Sequence, residues 1–176
     1  MNNTSRTETI SGTFTMNKKR LALLGVAALM ALGLAAQNDS TLFMQQLCAL
    51  EGISDVKPLE TSTFKEKYVL KMEQQVDWKT LSKGTLKERI IIGMKGLNKP
   101  TIIVTEGYFA NYGISPDYEE ELSRLFDANV ILCEYRYFAE SVPQPTNWDC
   151  MTVDNSLADY HHVRQTMGQL FTGRWI

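Results

Sequence analysis

The sequence predicts an α/β chain with a mostly parallel sheet and an antiparallel strand pair at its N-terminal edge. Three observations predict it. Thr101-Ile102-Ile103-Val104-Thr105 and Asn129-Val130-Ile131-Leu132-Cys133-Glu134-Tyr135 are continuous apolar, β-branched runs, the texture of strands buried on both faces. Apolar side chains recur at helical spacing after each of them. Ahead of both, two segments alternate apolar and charged residues at period two, as half-exposed strands do.

The elements follow in order. Phe64, Tyr68, Leu70, Met72 and Val76 alternate with Lys and Glu in a first strand, and residues 86–94 form a second, with Gly84 and Gly96 as punctuation. This pair is the antiparallel edge. Lys99-Pro100 opens the run 101–105, and Glu106-Gly107-Tyr108-Phe109-Ala110-Asn111-Tyr112-Gly113 forms a glycine- and aromatic-containing loop. Ser115 is placed to cap a helix that has Pro116 at its first position and Asp117 in its first turn. Tyr118, Leu122, Leu125 and Phe126 give this helix, residues 116–126, one apolar face. After the strand 129–135 and a loop with Pro143, Pro145 and Trp148, Thr152 caps a second helix, whose stripe is Val153, Leu157, Tyr160, Met167, Leu170 and Phe171. Arg174-Trp175-Ile176 begins another strand. Strand, helix, strand, helix, strand demands right-handed crossovers and a parallel sheet.

Residues 1–63 have a different texture. Lys18-Lys19-Arg20, then about 14 apolar residues from Leu21, then Ala35-Ala36 ahead of Gln37-Asn38-Asp39-Ser40, are the three parts of a secretory signal. Cleavage is expected after Ala35 or Ala36. A transmembrane anchor, the competing reading, wants about 20 apolar residues, so no stable membrane anchor is expected. Met16 stands at the normal distance before the charges, and residues 1–15 read as an extension from an upstream start. Residues 37–63 are polar and irregular, with a short helix around Leu42 to Leu50, and read as a mature lead-in. Lipidation at Cys48 is disfavoured, because Gln45-Gln46-Leu47 replace the small residues that such a site needs.

Composition narrows the function classes. The 176 residues are 44% hydrophobic and 22% charged, an ordinary globular balance with room for one core. A formal net charge of -2 offers no basic footprint for nucleic acid. Export permits disulfides, yet Cys48, Cys133 and Cys150 are odd in number. Cys133 lies in an apolar strand and reads as a small buried hydrophobe. No Cys-x-x-Cys spacing exists, so a zinc site is not expected.

In open α/β sheets, sites form at the carboxyl ends of the parallel strands. Here those ends are Thr105-Glu106-Gly107-Tyr108 and the stretch from Tyr135 to Ser141. In an α/β-hydrolase the loop after the third strand donates one backbone N–H to an oxyanion hole, and the order of elements here is compared with that template. Gly107 and Tyr108 fall at that position. Ser141 lacks the Gly-x-Ser-x-Gly elbow of a nucleophile, and the adjacent His161 and His162 lack the i, i+4 spacing of a helical metal pair. Neither is a candidate for catalysis. Arg136 follows an apolar strand, where a buried guanidinium must be paired. Asp154, Asp159 and Glu140 are its candidate partners, in a structural bridge beneath the site.

Residues 64–176 resemble the secreted bacterial prolyl tripeptidyl aminopeptidases, serine peptidases related to prolyl carboxypeptidase and dipeptidyl peptidase II. The matching pieces are Glu73-Gln74-Gln75-Val76-Asp77, Thr105-Glu106-Gly107-Tyr108, Glu134-Tyr135-Arg136-Tyr137-Phe138 with Glu140-Ser141 and Pro143, Trp148 with Thr152, Asp159 with His161, and Gly173-Arg174-Trp175-Ile176. Their order and spacing carry the resemblance. It implies an α/β-hydrolase core, a Ser-Asp-His triad, peptide substrates cut from free N-termini often next to proline, and no cofactor. Departures are Gln75 for an expected proline, Trp78 and Tyr135 for common histidines, and Ala139 for a frequent glycine. These bear on specificity more than on fold. The expected organisation is a signal region over 1–36, a lead-in over 37–63 and the N-terminal part of a peptidase domain over 64–176, cut before the nucleophile elbow. The alternative is an exported non-catalytic α/β binding module or a degenerate peptidase relative.

Overall fold

The computed structural model describes residues 42–176. The predicted signal, its expected cleavage site and the predicted upstream extension lie outside them. Residues 42–48 form a short helix, α1, and five strands follow: β1 Ile53–Pro58, β2 Glu66–Gln75, β3 Thr85–Met94, β4 Thr101–Thr105 and β5 Asn129–Cys133. Helix α2, Glu121–Phe126, lies between β4 and β5, and α3, Val153–Met167, follows β5. Among the described residues no helix is long and apolar enough to cross a membrane.

The five strands make one mixed sheet in the order β1-β2-β3-β5-β4. β4 and β5 are parallel neighbours, with Ile103 opposite Ile131. The remaining pairings, β1 with β2, β2 with β3 and β3 with β5, are antiparallel. The sheet is therefore mostly antiparallel, which corrects the predicted parallel majority. The reason is the short loop over residues 95–100, which turns the chain back after β3, so that both β4 and β5 run against it. Alternation of strand and helix patterns reports the β4-α2-β5 unit but is silent on the turn before it. The antiparallel β2–β3 pair is also interior to the sheet, because β1 covers its outer side. At the far edge, Trp175 bridges Thr101 in parallel fashion, and Thr101 N–H donates to the Arg174 carbonyl at 2.7 Å.

Central position explains why β2 and β3 are not half-exposed. Ile90 and Ile92 enter one core with Tyr68, Leu70, Met72, Ile131, Cys133 and the buried residues of α1 and α3. Ile91 points the other way, into a second cluster with Phe64, Val130 and Leu132. This period-two division across the sheet follows from strand geometry. Charged residues caught inside are tied down: Lys67 Nζ donates to the Ser115 carbonyl at 2.6 Å, and Tyr68 O–H donates to Glu66 at 2.7 Å.

β1, within the predicted irregular lead-in, is the strand that the pattern missed. It is short and mostly exposed, its register breaks between Ser54 and Lys57, and Asp55 takes φ 54°. An irregular, charged edge strand carries little hydrophobic alternation.

α2 departs from its predicted face, and α3 does so in its first half, while Tyr160, Met167, Leu170 and Phe171 of its predicted stripe do meet the core. α2 starts at Glu121, because Ser115, Pro116 and Asp117 serve other contacts. Ser62 donates from its N–H to the Pro116 carbonyl at 3.0 Å and from its hydroxyl to Asp117 at 2.7 Å. Leu122, Leu125 and Phe126 are exposed, Leu125 by 70%, and Ser123 is the buried residue, donating to the Ala128 carbonyl at 2.7 Å. In α3 the N-cap stands: the Thr152 side chain accepts from Asn155 N–H at 3.2 Å. Its inward stripe is Asn155, Ser156, Asp159, Val163, Thr166 and Met167, while Val153 and Leu157 are 67% and 61% exposed. The polar half of that stripe faces buried charge, which overrides hydrophobic periodicity.

Gly93 in β3 offers a direct test of the core packing. A Cβ there would sit 2.6 Å from the Phe64 ring. Gly93→Ala is expected to lower unfolding free energy by about 1–3 kcal/mol through overpacking. Urea denaturation with an unchanged midpoint would contradict the placement of Phe64.

Candidate functional site

The carboxyl ends of β4 and β5 lie side by side, so their loops, residues 106–113 and 134–143, form one surface. Tyr135 N–H donates to the Tyr108 carbonyl at 3.0 Å and joins them directly. Tyr108 is 65% exposed, and its ring meets Phe138 edge-on at 5.2 Å; Phe138 in turn lies 6.0 Å from Tyr135. Phe109 and Tyr112 are exposed beside them. The surface is therefore an aromatic patch on a backbone frame.

Gly107 and Tyr108 differ in what their amides do. The Gly107 N–H donates to the Glu106 carboxylate of its own loop at 3.0 Å. The Glu106 carboxylate also accepts from the Tyr112 hydroxyl, and its carbonyl accepts from Tyr160 at 3.1 Å. The Tyr108 N–H has no acceptor among the described residues. A Cβ built at Gly107 meets nothing within 4 Å, so open space lies beside the strand exit.

Behind this surface sits Arg136, 1% exposed. Nε and Nη2 make a bidentate pair with Asp159 at 2.7 and 2.8 Å. Nη1 donates to the carbonyls of Val76 at 2.9 Å and Cys150 at 3.0 Å, and Nη2 to that of Gln75 at 2.9 Å. All five guanidinium N–H groups are thus satisfied. Asp159 also accepts from the Trp78 indole at 2.7 Å. Of the other predicted partners, Asp154 pairs with Lys79 at 2.7 Å and Glu140 with Lys71 at 2.8 Å. Removing one member of a buried pair leaves an uncompensated charge, costing about 3–5 kcal/mol.

A second buried pair, absent from the sequence reading, joins Arg89 of β3 to Glu134 at the exit of β5. Arg89 Nη2 also donates to Asn111 at 2.6 Å. The signal was present in the sequence. Glu88-Arg89 interrupts the apolar strand before Ile90, and Glu134 closes the run 129–133; charge in such positions must find a partner.

Ser141 and the histidines occupy different settings. The Ser141 hydroxyl is buried, donating to Glu134 at 2.9 Å and accepting from Arg89 N–H at 3.0 Å. His162 Nδ1 lies 2.8 Å from Gln74 Oε1, its ring stands edge-on to Trp78, and burial holds its pKa below the ordinary value. Among the described residues no group of three His, Cys, Asp or Glu side chains is placed to hold a metal ion. The three cysteines are free; Cys48 is exposed, and Cys133 and Cys150 are buried. Burial pushes the Cys133 thiol well up, which keeps it protonated and inert.

Glu88 lies under the same corner, accepting from Gln74 Nε2 at 2.6 Å, and its other oxygen has no partner. Burial, reinforced by the nearby Asp159 charge, pushes the Glu88 carboxyl well above its ordinary 4.5. The folded protein therefore keeps a proton that the unfolded chain has released, and stability falls as pH rises from the ordinary glutamate value towards the folded one. Glu88→Gln has no such proton to lose. Urea denaturation at about pH 5 and about pH 8 is expected to show a smaller loss in the variant, and identical pH dependence in the two proteins would refute the buried neutral carboxyl.

Comparison with known proteins places these features in context. The chain is 31% identical over 108 residues to the prolyl tri/tetrapeptidyl aminopeptidase of Streptomyces mobaraensis. The matched stretch spans 61% of this chain and 22% of that relative. Residues 38–176, which include both loops, both buried ion pairs and every described strand, match the model of the PS-10 peptidase S37 family, and the chain belongs to that family.

Proposed function

We propose that these residues are the N-terminal part of an exported serine exopeptidase that removes short peptides, often next to proline, from free N-termini. The observation that carries this reading is the pair of loops at the carboxyl ends of β4 and β5, with an unclaimed Tyr108 amide among exposed aromatic rings. An unclaimed N–H in a loop just past a strand's carboxyl end is suited to the negative charge that develops on a carbonyl oxygen during acyl transfer. Glu106 holds the neighbouring Gly107 amide and thereby sets the direction of the loop. The rings of Tyr108, Phe109 and Phe138 supply apolar faces on which a proline ring packs. Arg136 and Asp159 support the site from beneath without touching substrate.

The Ser-Asp-His triad belongs, in this proposal, to residues downstream of Ile176. Ser141 is spent on Glu134, and no described serine, histidine and carboxylate form a relay. The full protein needs no cofactor for this chemistry, since a triad and backbone donors suffice. Export rests on the tripartite pattern of residues 18–36.

Three measurements test the proposal. Mass spectrometry of the exported protein is expected to find an N-terminus at Ala36 or Gln37; retention of residues 21–34 would show an anchor instead. The full gene product is expected to release tripeptides from substrates with a free N-terminus and to be inactivated by a serine-directed phosphonate. A stable, undamaged product without hydrolytic activity would leave the non-catalytic module. Gly107→Ala is expected to change stability by less than about 0.5 kcal/mol and to lower kcat/KM by about tenfold or more. Unaltered kinetics would remove the loop after β4 from the site.

A further inference from the structure

The two site loops are anchored on one carboxylate. Glu134 is fully buried and accepts four donors, the full acceptor capacity of an ionised carboxyl group. Oε1 takes Arg89 Nη2 and the Ala110 N–H at 3.2 Å. Oε2 takes the Glu140 N–H at 3.1 Å and the Ser141 hydroxyl at 2.9 Å. One oxygen thus serves the loop after β4 and the other serves the loop after β5.

Arg89 closes the arrangement from behind. Its guanidinium reaches Asn111 in the first loop at 2.6 Å, and its backbone N–H reaches the Ser141 hydroxyl in the second at 3.0 Å. The second loop also needs restraint. Tyr137 and Ala139 hold φ values of 69° and 38°, where non-glycine residues are strained. Such a backbone persists only when its surroundings over-determine it, and the two donors to Oε2 come directly after Ala139.

We propose that Glu134 is a positioning residue for the reaction: its carboxylate fixes loops 106–113 and 134–143 as one unit, and so sets where the Tyr108 amide points. This rests on the peptidase reading above. The two-sided geometry makes an isosteric test sharp. In Glu134→Gln, one oxygen becomes an NH2 group: in one orientation it faces Arg89 Nη2 and the Ala110 N–H, and in the other the Glu140 N–H, while the Ser141 hydroxyl can turn to accept. Either way one of the two loops loses a backbone anchor while the shape of the side chain is kept.

The experiment uses the full protein, with active sites counted by a serine-directed phosphonate. For Glu134→Gln, kcat per titrated site is expected to fall by about 10- to 100-fold, with KM changed less than about threefold. Hydrogen exchange is expected to quicken in one of the two loops while the strands stay protected. A kcat within about twofold of wild type in folded Glu134→Gln would overturn the proposal, as would unchanged exchange in both loops. If that variant does not accumulate, Ser141→Ala removes a single donor to Oε2. Its expected result is faster exchange across 134–143 and a kcat lowered by about 3- to 10-fold, and no change in either would overturn the proposal. Should the wild-type protein hydrolyse no peptide, the peptidase reading fails, and exchange alone then decides whether Glu134 ties the loops.

Discussion

A guanidinium has five N–H donors and no acceptor, so burying Arg136 obliges every one of its partners to be in place. Those partners come from three parts of the chain. The carbonyls of Gln75 and Val76 mark the end of β2, that of Cys150 a turn ahead of α3, and Asp159 the middle of α3. Asn155 and Trp78 complete the corner: Asn155 accepts from Trp78 N–H at 3.1 Å and donates to the Cys150 carbonyl at 3.0 Å. The seat of α3 on the sheet is thus set by ionic and polar contacts at its first half and by Val163 and Met167 at its second.

The same division explains what could be read from residues alone. The runs 101–105 and 129–135 stand out because continuous apolar, β-branched residues mark a strand: β5, Asn129–Cys133, is buried throughout and β4 at its start, and their parallel pairing follows from the helix between them. The first half of the α3 stripe misleads because periodicity weighs Val153 and Leu157 above Asn155 and Asp159, whereas the buried arginine rewards the polar residues; its second half, Tyr160 to Phe171, does face the core. β3 was read as half-exposed because Glu88 and Arg89 look like a solvent face, although both are buried. Local sequence records which residues are charged; only the assembled sheet records that their partners are inside it.

The site shows the same limit more finely. Element order puts Gly107 and Tyr108 just after β4, and Arg136 is recognisable as a charge that needs a partner. Choosing Asp159 over Asp154 and Glu140 required the helix register, since Asp154 faces Lys79 at the surface and Glu140 faces Lys71. Glu134 could be quoted within a matching segment, yet its role depends on Arg89, which lies far from it in sequence and adjacent to it in the sheet. Pairings between distant strands are the information that periodicity lacks.

The two buried ion pairs also govern how this sequence can drift. A surface residue changes alone at little cost, but Arg136 and Asp159, or Arg89 and Glu134, cannot be exchanged one at a time without stranding a charge at about 3–5 kcal/mol. That is a large share of the total stability of an ordinary domain. Neutral substitution at these four positions is therefore closed, and the way out is a coordinated replacement of both partners by apolar residues of similar volume. At the Arg136–Asp159 pair such a replacement takes the guanidinium donors from the carbonyls of Gln75 and Val76, while that of Cys150 keeps Asn155. The corner is held in place over evolutionary time by the backbone it satisfies as much as by the charge it neutralises.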